Sequence, residues 1–420
     1  MKRLKFSLIF TLALTVTTTL LPGFKASADE QPPKIVGKAA ITLDVQTGEI
    51  IYANNIDEKR YPASVTKLMT ALLFAQNKKK TDKIPYTEDA KKQPAFALST
   101  DVFRNIKIGD TLSADDTMKA LLMFSANDSA YMIADAVGGS SDNFIKMMND
   151  EAAKLSMKNT HFVTANGLDD STTDHLTTAY DLTILARAAY NQPWVKEVMG
   201  TKNSKITLSN GLTAAVDNRN KLLGVDGNVG GKTGNTTKAG RCLVSIYNRN
   251  NRLMVGVVMG SVWDKDDTQV FNDMQKIIDW SYSAKRTVYT TKNTQVKVEK
   301  LQYKPLKFIG PTKTIDMPMI IHDDASYYAN DVNKKELTAN IKTDSIDPWN
   351  LSANTEVGKY QLKGRESLNE YSLYTTITSK DIYAQNRGLY TAVGVGTVAV
   401  LAIVVALIVF IRKTAARSRR

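Results

Sequence analysis

No stretch of the chain is more constrained than Tyr390 to Ile411, 22 residues without a charged side chain. As a helix such a run crosses about 30 Å of hydrocarbon. Hydrocarbon offers no water to backbone N–H and C=O groups, so the run must satisfy them internally, as a helix does. We therefore expect a transmembrane helix over 389–411. The segment 412–420 behind it carries Arg412, Lys413, Arg417, Arg419 and Arg420, the positive charge that marks a cytoplasmic end. At the other end, 1–28 reads as a signal peptide: basic Lys2, Arg3 and Lys5, apolar Phe6 to Leu21, then the small-residue site Ala26-Ser27-Ala28. The mature chain is expected to begin near Asp29, with its body on the extracytoplasmic side of the cell membrane.

The two ends also explain the charge. Of the formal +13, four positive charges lie in the signal segment and five in the tail, leaving +4 for a body of about 360 residues. Nucleic acid is thereby disfavoured as a partner. A single cysteine, Cys242, excludes an internal disulfide, and its place in the strand-like run Cys242 to Tyr247 marks it as a small buried residue. The three histidines are scattered (His161, His175, His322) and no HExxH occurs, so neither a metal site nor any cofactor is expected.

So long a body calls for two domains. Up to Ala284 the chain mixes strands with helices. Strand-like runs flank the Thr47-Gly48 turn (Ala39 to Val45, Glu49 to Ala53) and the polar loop at Asn248 to Asn251 (Arg241 to Tyr247, Leu253 to Met259). Helical periods cover Ser64 to Gln76, Asp115 to Val137, Asn143 to Leu155, Ala179 to Tyr190 and Thr268 to Tyr282. Beyond Thr287 the pattern shortens to alternating runs rich in Thr and Tyr. The expected fold is an α/β (α+β) domain with an antiparallel sheet over 29–286, a small all-β domain over 287–386, then the membrane helix.

Three short motifs carry chemistry. In Tyr61 to Thr70, Pro62 opens a helix whose apolar face is Val65, Leu68, Met69, Leu72 and Leu73, which places Ser64 and Lys67 one turn apart. A lysine whose pKa is depressed can take the serine proton, and the helix N-terminus offers N–H groups to an oxyanion. Lys232-Thr233-Gly234 occurs once, as does Ser-x-x-Lys. On a strand edge its cation and hydroxyl can hold a carboxylate, while Gly234 allows close backbone approach. Ser-x-Asn occurs four times, at Ser125, Ser141, Ser352 and Ser367. Ser141 reads as a helix cap, and the last two fall in the β-rich part. Ser125-Ala126-Asn127 instead interrupts an apolar helical region, where polar side chains need a reason.

With these residues in place the chain resembles the low-molecular-weight penicillin-binding proteins that act as D-alanyl-D-alanine carboxypeptidases, a motif set known for that group and for class A β-lactamases. The likeness runs from about Lys38 to Tyr282 and includes Asn166-Gly167-Leu168 and His175 to Leu182. It implies Ser64 as the acylated nucleophile, Lys67 as its base and Ser125 as a proton relay. Asn127 would bind the substrate backbone, Lys232 and Thr233 the terminal carboxylate, with Gly234 beside them, and the N–H groups of Ser64 and Asn235 would form the oxyanion hole. The implied substrates are peptidoglycan stem peptides ending in D-alanyl-D-alanine, with β-lactams as inhibitors. Where many relatives place a carboxylate-binding arginine this chain reads Gly260-Ser261-Val262, and Arg241 is the candidate substitute. Two other readings compete. A class A-like β-lactamase needs a Glu-x-x-Leu-Asn segment absent from Ser129 to Gly231, where Glu151 is the nearest candidate, and a non-catalytic wall-binding protein would have lost motif residues that are all present.

Overall fold

In the computed structural model, which describes residues 31–307 and 309–418, the Thr47-Gly48 turn joins β1 (Ala39–Asp44) to β2 (Ile50–Asn54) as an antiparallel hairpin. The expected signal peptide, and Arg419 and Arg420 of the tail, lie outside the described residues. The Lys-Thr-Gly motif falls within β3 (Asn228–Thr236), followed by β4 (Gly240–Arg249) and β5 (Arg252–Ser261). Together they form one antiparallel sheet in the order β2-β1-β5-β4-β3, which puts β3 on an edge. The inner strands β1, β4 and β5 carry long apolar runs because both of their faces are covered. Ala39, Ile41 and Leu43 face the larger core with α1 (Lys67–Asn77), α2 (Asn127–Gly138), α3 (Ser141–Lys154) and α4 (Ala179–Asn191). Ala40 and Val258 face the other way, onto Met274 and Ile277 of α5 (Gln269–Ser283).

Three local expectations need correction. The helix expected from Ser64 starts as a 3-10 turn, Ala63–Thr66, before α1 takes over. The single helix expected over Asp115 to Val137 is three pieces: Ala114–Lys119, a π turn Ala120–Phe124, and α2. The cap of α3 is Ser140, whose side chain accepts the Asn143 N–H, so Ser141 is the first helical residue.

The C-terminal part builds a second antiparallel sheet from β6 (Gln295–Tyr303), β7 (Lys313–Ile321), β8 (Thr338–Thr343), β9 (Glu356–Lys363) and β10 (Leu368–Thr375), in the order β6-β7-β10-β9-β8. Its alternating residues bury Met317, Met319, Val357, Leu362 and Leu373. Two short helices, Asp331–Glu336 and Ser379–Gln385, were not legible in the alternation. This part is fastened to the first. The buried amides of Asn330 and Asn333 donate to the Ile50 carbonyl on β2 at 3.0 and 2.8 Å. In the turn between β9 and β10, Arg365 grips Asp57 at 2.6 and 2.8 Å, and Glu366 pairs with Arg187 at 2.7 Å. The last element, α6 (Arg387–Arg417), covers the uncharged run, with Thr391, Thr397 and Thr414 donating to carbonyls four residues earlier. Those hydroxyls are thus satisfied inside the helix.

Candidate active site

The tight turn before α1 brings the first two motif residues together. Lys67 Nζ lies 2.8 Å from Ser64 Oγ, 2.9 Å from Asn127 Oδ1 and 2.9 Å from the Asn166 carbonyl oxygen. Lys67 is fully buried, and burial lowers its pKa to about 7, helped by the positive charge of Arg219 and opposed by Asp128. A neutral amine has two hydrogens and one lone pair. The Asn166 carbonyl and Asn127 Oδ1 can only accept, so they take both hydrogens. The lone pair is then left facing Ser64, whose O–H alone among the three partners can donate. The arrangement aims the Lys67 lone pair at the Ser64 hydroxyl.

A second serine–lysine pair faces the first. Lys232 Nζ donates to Ser125 Oγ and to the Thr233 carbonyl, both at 2.9 Å. Burial again pushes its pKa well below the ordinary lysine value, with the charges of Lys67, Arg219 and Arg241 adding to it. Ser125 reaches this place because it closes the π turn in a left-handed backbone conformation, φ +72°, a region that costs a non-glycine residue about 1 kcal/mol or more. Asn127 follows at the first turn of α2, with its Nδ2 donating to the Ala95 carbonyl at 2.8 Å. Both ends of that amide are therefore in use. The Thr233 hydroxyl has no partner among the described residues, and Asn235 is exposed on the edge strand.

Two glycines set the distances. A Cβ on Gly234 would stand 3.0 Å from the Pro62 carbonyl oxygen and 3.1 Å from the Ser64 nitrogen, so the missing side chain serves the approach of β3 to the serine turn. A Cβ on Gly167, at φ +90°, would lie 1.9 Å from the Ala63 carbonyl oxygen. His175 ties the same region together. Its Nδ1 accepts the Val163 N–H at 2.9 Å, which leaves the proton on Nε2 to bond Thr66 Oγ1 at 2.8 Å. Burial lowers its pKa to about 4, so it is neutral. Asp128 accepts the N–H groups of Leu98, Ser99 and Ser129, yet burial outweighs those bonds and raises it to about 6.

Arg219 escaped the sequence reading altogether. Its guanidinium is stacked between Phe96 at 4.8 Å and Phe124 at 4.7 Å, and its backbone N–H donates to the carbonyl of Met123, two residues before Ser125. Among the described residues no carboxylate comes within ion-pair reach of it. Its only sequence signal was a lone cation between Asn218 and Asn220. Arg241, the expected substitute, is committed elsewhere: it pairs with Asp267 at 2.7 Å and stacks on Trp263. Glu151 bonds Gln76 and Lys154, and Gln76 lies nine residues along α1 from Lys67, about 14 Å at 1.5 Å per residue. It is too remote to activate a water at Ser64.

A serine addressed by a buried neutral lysine, with a second serine–lysine pair across from it on this sheet-and-helix frame, defines a serine hydrolase of the penicillin-binding-protein class. The chain belongs to the D-alanyl-D-alanine carboxypeptidase family, whose sequence profile matches residues 26–262, and it is a serine-type D-Ala-D-Ala carboxypeptidase. It is 34% identical over 276 residues to D-alanyl-D-alanine carboxypeptidase DacC of Escherichia coli, covering 63% of this chain and 66% of that protein. With DacD of the same organism it shares 32% over 356 residues, 80% of this chain and 84% of the relative. The crystal structure of DacD from Francisella tularensis has the same fold, with a TM-score of 0.58 at 21% identity over 84% of this chain and 96% of that one.

Proposed function

We propose that Ser64 attacks the carbonyl of the penultimate D-alanine in a peptidoglycan pentapeptide stem and releases the terminal D-alanine. Lys67 takes the Ser64 proton as the Oγ–carbon bond forms. Ser125, polarised by Lys232, passes a proton to the departing amine as the C–N bond breaks, and water then hydrolyses the Ser64 ester. The N–H groups of Ser64 and Asn235 receive the oxyanion. Asn127 aims Lys67, and can bind the substrate backbone once its Nδ2 leaves Ala95. Lys232 and the unpartnered Thr233 hydroxyl hold the terminal carboxylate, and Arg219 is the second cation there, since Arg241 is already neutralised by Asp267. β-Lactams acylate the same serine. Residues 29–286 form the peptidase domain and 287–386 the β domain, while 389–411 anchor the body to the membrane with 412–420 on the cytoplasmic side.

The observation that carries this reading is the three-partner environment of Lys67, which leaves its lone pair only Ser64 to address. Intact-protein mass spectrometry tests it. Benzylpenicillin should add one persistent adduct to the wild type and none to Ser64→Ala, and pentapeptide should yield free D-alanine only with the wild type. An adduct retained by Ser64→Ala would sink the assignment.

A further inference from the structure

The joint between the β domain and α6 is stiff. Asn386, between the short helix Ser379–Gln385 and α6, is buried, and its Nδ2 donates to Tyr303 Oη and to the Ile382 carbonyl, both at 2.8 Å. Its Oδ1 accepts from Lys313 Nζ at 2.8 Å. One turn on, Tyr390, the first residue of the uncharged run, donates its hydroxyl to the Pro305 carbonyl at 2.7 Å. That bond holds the hairpin after β6 at the level where the helix becomes apolar.

The hairpin is built unlike a soluble turn. Leu306 and Ile309 bridge across it and so share a face, and Ile309 is 72% exposed. Exposed Lys304 and Lys307 flank them and line, with Trp349 and Asp347, a cleft of about 500 Å³. A second cleft, of about 520 Å³, is lined by Lys380, Arg387, Tyr383 and Tyr390 at the root of α6. A chain of rings, Tyr303 to Trp349 to Tyr383 to Tyr390, with centroids 5.2–6.1 Å apart, links the two. Among the described residues none of these four cations is paired with a carboxylate. The nearby Asp347 and Asp381 are taken up by the Trp349 N–H and by Thr378. An apolar tip, tyrosine and tryptophan rings and unpaired cations at one level around the start of a spanning helix match the bilayer interface and its anionic headgroups.

We propose that this face is a second membrane contact: Leu306 and Ile309 enter the interface beside α6, while Lys304, Lys307, Lys380 and Arg387 bind the headgroups of an anionic phospholipid. The proposal rests on α6 being a membrane span. The full chain, with Cys242 replaced by alanine, is reconstituted in vesicles of phosphatidylcholine and phosphatidylglycerol, and an environment-sensitive dye is placed at I309C, V400C or K342C. Position 342 lies on β8, at the opposite edge of the sheet from β6. Lipid spin-labelled at the headgroup should quench the dye at 309 and not at 342, and lipid labelled mid-chain should quench it at 400. The quenching at 309 should weaken in pure phosphatidylcholine and in the fourfold variant K304Q/K307Q/K380Q/R387Q. If 309 behaves like 342 while 400 is quenched, the span stands and the second contact is wrong. If 400 is not quenched, both fall.

Discussion

A lysine that titrates at about 7 in place of 10.5 carries roughly 5 kcal/mol against its charged form. Its neutral fraction therefore grows as pH rises through about 7, and acylation needs that fraction. The rate constant kcat/KM for pentapeptide should climb through pH 7 and level off above it. Lys67→Arg should be nearly inactive at every pH, because arginine keeps its proton. Near-normal benzylpenicillin acylation by that variant would end the base assignment. The two arginines are separable in the same assay. Removing a charge-assisted bond worth about 1.5–3 kcal/mol makes Arg219→Gln some 10- to 100-fold poorer in kcat/KM. Arg241→Gln, which breaks an ion pair with Asp267, should act mainly on stability. A larger catalytic loss in Arg241→Gln would reverse the carboxylate assignment.

Among the elements, those with a strong period were legible and those defined by tertiary partners were not. The apolar faces of α1, α4 and α5 follow from residues three and four apart, and, apart from the 3-10 start before α1, their observed ends lie close to the expected ones. The π turn at Ala120–Phe124 was invisible because shifting bonds from four to five residues leaves the apolar letters unchanged. The four motif residues Ser64, Lys67, Ser125 and Lys232 could be named because each stands in a short recurring pattern. Arg219 stood in no pattern, and the burial of Asp128, which ends the matched Ser125 segment, was not legible, since their partners Phe96 and Leu98 lie about 120 and 30 residues distant. His175 opens a segment that the resemblance includes, but its buried, neutral state was not legible, and that state makes its contribution to stability pH-dependent. Its folded pKa of about 4 lies below the unfolded value of about 6.5, so the stability it supports is complete above pH 6.5 and lost as pH falls toward 4. Asp128, raised to about 6, works in the opposite direction. The clean measurement is therefore a difference: the urea stability advantage of the wild type over His175→Gln should shrink by about 3 kcal/mol between pH 7 and pH 4. A constant difference would show that His175 is not buried neutral.

For the whole molecule, the change of texture after Ala284 announced a second architecture, and the second sheet begins nearby. Its manner of attachment was beyond reach, because Asn330, Asn333 and Arg365 look like ordinary surface polar residues until β2 and Asp57 are brought to them. Catalytic groups and α6 share no bond, so a protein ending at Asn386 should remain soluble and release D-alanine from a short pentapeptide at a rate close to that of the full chain. Loss of that activity in a folded truncated protein would give the membrane segment a part in catalysis. The pinned Asn386 has a consequence for how the enzyme meets its substrate. A slack tether lets a domain sample a hemisphere; a joint held by three hydrogen bonds lets it sample little more than rotation about the membrane normal and drift in the plane. With α6 as the proposed anchor, Ser64 would patrol a thin shell at one altitude above the bilayer, and which stems it trims would be decided by the height at which a glycan strand lies, before any pocket has tested its chemistry.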